Sequence, residues 1–122
     1  MCFYNCLLNL YFTKERLIKD GYKIENCVIR EIFTEKLPEN KYVDWYMVVS
    51  GECSCVIRLA RCYINNPFCF YTMGEIMETY GVTKLDELKG QYIRVAHKGV
   101  GTKVDYIGHI IADEWFVNCT NS

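Results

Sequence analysis

Two stretches of alternating side chains constrain this chain more than any other feature. Tyr42 to Ser50 sets Val43, Trp45, Met47 and Val49 against Asp44 and Ser50. After Gly51-Glu52, the run Cys53 to Tyr63 puts Cys53, Cys55, Ile57 and Leu59 on one face and Arg58 on the other. A period of two marks a half-buried strand, so the two runs predict a β-hairpin. Gln91–His97 and Thr102–Ile111 flank Lys98-Gly99-Val100-Gly101 and predict a second antiparallel hairpin. Ile24–Phe33, rich in β-branched and aromatic residues and closed by Leu37-Pro38-Glu39-Asn40, adds another strand.

Helical signals fall between and before the strands. Thr72-Met73-Gly74-Glu75 has the T-x-x-E form in which each side chain satisfies a free amide at a helix start. Ile76, Met77 and Tyr80 continue at helical spacing up to Gly81, and Thr83 offers a second cap for a short turn from Lys84 to Leu88. Phe3, Leu7, Leu10, Leu17 and Ile18 predict an N-terminal helical segment ending at Gly21, with a shorter helix beginning at Thr13 as the alternative. Its apolar face serves either packing or contact with a second subunit. The sum is an α+β fold: residues 1–122 as a single domain, a mainly antiparallel sheet of about five strands, one well-capped helix packed on it and an N-terminal helix over 1–21. Residues 117–122 read as a frayed tail. A length of 122 residues suits one domain, and 51% hydrophobic content excludes a wholly disordered chain.

The formal net charge of −1 provides no general attraction for a DNA or RNA duplex or for an anionic membrane. The apolar run from Met1 to Phe12 lacks a basic leading segment, is interrupted by Asn5 and Asn9, and is too short to span a bilayer. We therefore expect a cytoplasmic protein with reduced thiols. Its 8 cysteines then read as small buried hydrophobes, and Cys53-Ser54-Cys55 reads as a poor chelate, so no metal site is expected.

Catalysis needs a nucleophile, a base and an orienting group, or an open metal. His97 and His109, on adjacent predicted strands, are the only imidazoles. They read as structural or ligand-contacting residues, and no catalytic residue or cofactor is expected. Binding is better supported. Arg58, Arg61 and Arg94 lie on or beside strands, where a guanidinium pairs with an acid or faces a ligand such as phosphate. Phe68, Phe70, Tyr71, Trp115 and Phe116 offer flat surfaces for stacking a base. Core packing and surface ion pairing are the competing roles for these same residues.

Gly81-Val82-Thr83-Lys84-Leu85-Asp86-Glu87-Leu88-Lys89-Gly90-Gln91-Tyr92-Ile93-Arg94-Val95, followed by Ile107-Gly108-His109-Ile110-Ile111-Ala112-Asp113-Glu114-Trp115-Phe116, resembles a family of small phage and prophage proteins. Its members carry a "GV…LKGKYVRV" strand and a closing "IGHII-D-WF" strand. The likeness is closest to the first Thoeris anti-defence family. The stretch Met73–Phe116 carries the match. Where that family has a glycine-rich "FGGY"-like segment, this chain has Cys55-Val56-Ile57-Arg58.

The resemblance implies a homo-oligomeric sponge. Such a protein sequesters a cyclic ADP-ribose isomer, and in some cases cyclic oligonucleotides, without cleaving it, and so suppresses bacterial anti-phage defence. On the matched motif Arg94 becomes the first phosphate ligand and His109 the second. Asp113 accepts from ribose hydroxyls or an adenine amine, and Trp115 stacks. Arg58, Phe70 and Tyr71 lie outside the motif and stand on their chemistry alone. Two other functions remain open: a protein-binding inhibitor of a defence effector, which needs an exposed acidic or aromatic patch, and an enzyme that cleaves the signal, which needs an acid–base pair or a metal.

Overall fold

The structure, a computed structural model, describes residues 13–63 and 68–117, apart from the side-chain surroundings of 60, 68–72, 116 and 117. In chain order the elements are α1 (Lys14–Lys19), β1 (Lys23–Glu35), β2 (Tyr42–Gly51), β3 (Cys55–Tyr63), α2 (Phe68–Thr79), a 3-10 turn (Leu85–Leu88), β4 (Tyr92–His97), β5 (Val104–His109) and β6 (Trp115–Val117). The strands form one six-stranded antiparallel sheet in the order β3-β2-β1-β4-β5-β6. Both predicted hairpins are present. The sixth strand arises because Trp115–Val117 pairs with Tyr106–Gly108, a segment too short for its periodicity to be read.

Core formation follows the alternation. On one face Cys27, Ile29, Met47, Val49, Ile57, Leu59, Ile93, Val95 and Ile107 are buried, and α2 seals them with Met73 and Ile76. Ile76 is only 1% exposed, and full burial of such a side chain contributes about 1.5–3 kcal/mol. On the opposite face Leu17 of α1 packs with Ala96 and Trp115, joined by Tyr22, Ile24 and Tyr106. Leu17 gives the Lys14–Lys19 helix the packing role. Of the expected frayed tail 117–122, Val117 instead ends β6, paired with Tyr106, while 118–122 and the first twelve residues of the expected N-terminal helix lie outside the described residues.

Helix boundaries depart from expectation in two places. Helix α1 follows the Thr13 alternative: Thr13 Oγ1 accepts from the Arg16 amide at 3.2 Å. Helix α2 begins at Phe68, so Thr72 and Glu75 lie inside it rather than capping its start, and the Glu75 carbonyl accepts from Thr79 Oγ1 at 2.8 Å. Further along, the Glu87 carboxylate accepts from the Lys84 amide at 2.8 Å and from Thr83 Oγ1 at 3.1 Å, fixing the 3-10 turn. Among the described residues, no helix is long and apolar enough to cross a membrane.

One turn determines the position of a cysteine. Gly51 adopts φ +145, and a Cβ there would stand 2.7 Å from the Asn26 carbonyl oxygen, so only glycine lets the hairpin end close onto β1. The Glu52 amide then donates to the Asn26 carbonyl at 3.0 Å. Cys53 consequently sits in the turn rather than on β3, with its side chain still packed against the α2-side core.

Candidate functional site

Four of the sequence candidates converge on the loop between β5 and β6. Arg94 stands opposite Gly108 in the β4–β5 register, and its guanidinium reaches past the end of β5. Nε and Nη2 donate to the Ile110 carbonyl at 3.0 and 2.8 Å, and Nη2 also donates to the Ile111 carbonyl at 3.0 Å. His109 stands opposite buried Ile93 and therefore approaches the same loop from the α2 side of the sheet. Its Nδ1 accepts from the amides of Ile111 at 3.1 Å and Ala112 at 2.9 Å. With Nδ1 an acceptor, the ring is neutral and carries its proton on Nε2. The ring lies against Tyr80, centroids 6.3 Å apart, and the Tyr80 hydroxyl donates to the Gly108 carbonyl at 3.3 Å. Burial pushes the Tyr80 phenol far above its ordinary range.

Asp113 completes the loop. Its Oδ1 accepts from the Trp115 indole nitrogen at 2.7 Å and from the Lys14 amide, also at 2.7 Å, so it joins the start of α1 to β6. Trp115 itself is fully buried, and the Arg94 guanidinium carbon lies 5.9 Å from its ring. This corrects the expectation that Trp115 stacks on a ligand: its faces are occupied by the core. The motif residues Arg94, His109, Asp113 and Trp115 are thus brought together, yet most of their polar capacity is directed at the loop's own backbone. Among the described residues Arg94 Nη1, His109 Nε2 and Asp113 Oδ2 are left without hydrogen bonds, and the first two lie on opposite faces of the sheet.

Arg58 belongs elsewhere. It lies on β3 opposite Tyr46, and β2 and β1 separate β3 from the β4 strand that carries Arg94. The surface around it was only partly legible in the sequence. Helix α1 covers the start of β1 and the end of β4, and α2 lies on the far face, so among the described residues no helix covers the β2–β3 part of this side. Here Phe33 stacks on Tyr46, centroids 5.1 Å apart, and Tyr42 meets Tyr63 edge-on at 5.5 Å. The Arg61 guanidinium lies flat over Tyr42, 3.8 Å from the ring centre. It also grips Asp44 through two hydrogen bonds, Nε to Oδ1 at 2.8 Å and Nη2 to Oδ2 at 3.0 Å.

The electrostatics follow from that pairing. Arg61 holds the Asp44 carboxyl below the usual carboxylate range against the opposing effect of burial, and Asp44 raises the Arg61 guanidinium in return. Burial and Asp44 push the Tyr46 phenol up, and its hydroxyl donates to Asp44 Oδ2 at 3.3 Å. The signal for this surface was present in the sequence: if Val43, Trp45 and Met47 face the core, then Tyr42, Asp44, Tyr46 and Val48 face outward. Phe70 and Tyr71 lie on α2, and their side chains are outside the described residues.

Cys27, Cys53 and Cys55 are free thiols, whereas Cys62 is disulfide-bonded, which corrects the expectation of reduced thiols throughout. In comparison with known proteins, no family model, no curated protein and no solved structure matches the chain.

Proposed function

We propose that the protein binds and holds a cyclic nucleotide immune signal, a cyclic ADP-ribose isomer or a cyclic oligonucleotide, without cleaving it, and so suppresses anti-phage defence in the cytoplasm of the infected bacterium. The observation that carries this reading is the open sheet face on which Arg61 lies over Tyr42 beside Tyr63, with the Phe33–Tyr46 stack alongside. Rings and guanidinium planes on one surface suit a purine, whose stacking is worth about 1–3 kcal/mol per base. Arg58, on the same face, and Arg61 supply charge for a pyrophosphate, with Asp44 releasing part of its hold on Arg61 as the anion arrives. The resemblance of Gly81–Val95 and Ile107–Phe116 to a counter-defence family supports the same ligand class. The Cys62 disulfide is unusual for a cytoplasmic protein.

An open face covers a ligand on one side only, while small-molecule sites bury about 70–90% of their ligand. A second copy of the chain closing over this face supplies the other wall. Val56 at 57%, Tyr63 at 50% and Tyr92 at 65% exposure give it apolar surface to meet. The test is to incubate the protein with a panel of cyclic ADP-ribose isomers and cyclic oligonucleotides, denature it, and chromatograph what is released. Intact ligand in stoichiometric amount supports the sponge. A cleaved product identifies an enzyme, and no retained ligand refutes the reading.

The same apolar exposure on β3, an edge strand, favours a second reading: a protein-binding inhibitor of a defence effector. Retention of an effector in place of any nucleotide distinguishes it.

A further inference from the structure

At the opposite side of the molecule from that open face, on the core side of the sheet, lies a group of side chains the proposed function does not use. Glu25 Oε1, Cys53 Sγ and His97 Nε2 lie within 4.8 Å of one another. Cys27 Sγ is 3.4 Å from Cys53 Sγ. We propose that Glu25, Cys27, Cys53 and His97 form a four-donor site for one zinc-like divalent cation.

The spacing fits such a shell. Zinc binds thiolate sulfur at about 2.3 Å and nitrogen or oxygen at about 2.0–2.2 Å, so tetrahedral donors stand roughly 3.3–3.8 Å apart. The Glu25, Cys53 and His97 donors lie within 4.8 Å of one another, and Cys27 Sγ, outside that group, is 3.4 Å from Cys53 Sγ, so the four close onto a cation by side-chain rotation, Cys27 turning most. The scaffold is well fixed. Glu25 and Cys27, two apart on β1, share one face, and Glu25 and Cys27 pair with Val95 and Ile93 of β4. His97 follows on β4 beyond Val95. Cys53 is fixed by the hairpin end that Gly51 lets close onto Asn26.

The donor set also selects among metals. Two thiolates, an imidazole and a carboxylate suit zinc and exclude the hard oxygen-seeking cations magnesium and calcium. Core packing explains a buried thiol such as Cys27, 3% exposed, but it does not explain why a carboxylate and an imidazole converge on the Cys53 sulfur beside it. Zinc binds cysteine as the thiolate, so uptake releases thiol protons to solvent.

His97 provides a specific signature. In the metal-free chain its Nδ1 accepts from the Gly99 amide at 3.1 Å, so the ring proton sits on Nε2, facing Glu25. Ligation through Nε2 moves that proton to Nδ1 and costs the Gly99 bond. Gly99 belongs to the exposed turn between β4 and β5, where its amide can turn to water.

The test uses the full chain, freed of metal under reducing conditions and titrated with cobalt(II). The expected result is saturation at one equivalent per chain, with a thiolate-to-cobalt charge-transfer band, intense visible bands of a tetrahedral ion, and displacement by zinc. Cys53→Ser diminishes the charge-transfer band, leaving one thiolate, and weakens binding at least tenfold, and Glu25→Gln weakens it by a similar factor, roughly the effect seen on losing even a supporting ligand contact. Nitrogen-15 correlation spectra of the unaltered protein show His97 changing from the Nε2–H to the Nδ1–H form on adding zinc, a readout that needs no variant to fold. A weak octahedral cobalt spectrum, unchanged binding by folded Cys53→Ser, or a His97 tautomer indifferent to zinc overturns the proposal.

Discussion

Gly108 lies directly beneath the indole of Trp115: a Cβ at position 108 would stand 2.5 Å from Cε3 and 2.6 Å from Cζ3. Trp115 is fully buried and cannot swing aside. Gly108→Ala should therefore destabilise the fold by about 1–3 kcal/mol, the range for overpacking. Urea unfolding followed by tryptophan fluorescence checks it, and an unchanged midpoint would show that the indole does not occupy this seat.

The Arg61–Asp44 pair makes stability depend on pH. Arg61 lowers the folded-state value of Asp44 below its unfolded value of about 3.9. The pair's contribution is thus fully present above the unfolded value and is lost as pH falls through the lower, folded one. Asp44→Asn should flatten this part of the acid limb in urea titrations between about pH 2 and pH 5. Arg61→Ala, which leaves Asp44 buried without its cation, should cost about 1–3 kcal/mol at neutral pH.

Arg94 and His109 should act on the β5–β6 loop rather than only on a ligand. Arg94→Ala removes three charge-assisted bonds to the Ile110 and Ile111 carbonyls, and a loss of about 1.5–3 kcal/mol is expected. Arg94→Lys restores only part of it, because an ammonium lacks the planar fork. His109→Ala should expose the Ile111 and Ala112 amides to rapid hydrogen exchange. Exchange that stays slow in that variant would rule out the ring as their acceptor.

On the open face, Tyr42→Ala should weaken nucleotide binding by about 1–3 kcal/mol, one stacking contact. Calorimetric titration beside Arg94→Ala separates the two surfaces. If affinity falls only in a folded Arg94→Ala protein and not in Tyr42→Ala, the ligand sits at the loop.

Alternation made both hairpins and the α2-side core legible from the sequence, since Met47, Val49, Ile57, Ile93 and Val95 are where a period of two puts them. What alternation cannot show is where a polar side chain ends. Arg94 reads as a cation on a strand, and only the path of the loop reveals that its nearest acceptors are backbone carbonyls. The α2 boundary was hidden because Thr72-x-x-Glu75 satisfies a capping pattern that also occurs inside helices. Glu25 and Cys27 are neighbours on β1, but Cys53 and His97 lie far from them in sequence and reach them only through the β1–β4 register and the Gly51 turn.

The strand order also makes the sheet two local ribbons, β1-β2-β3 and β4-β5-β6, joined along one seam between β1 and β4. Within each ribbon every pairing closes a short stretch of chain, whereas the seam joins residues such as Glu25 and His97 that lie 72 positions apart. Loop-closure entropy makes that junction the late step of folding, after either ribbon can form by itself. Mutations along the seam should slow folding, while those at the outer edges should mainly quicken unfolding. A chain severed between the ribbons would retain, in each fragment, the local instructions for its own half and would lose only the tether that brings the halves together.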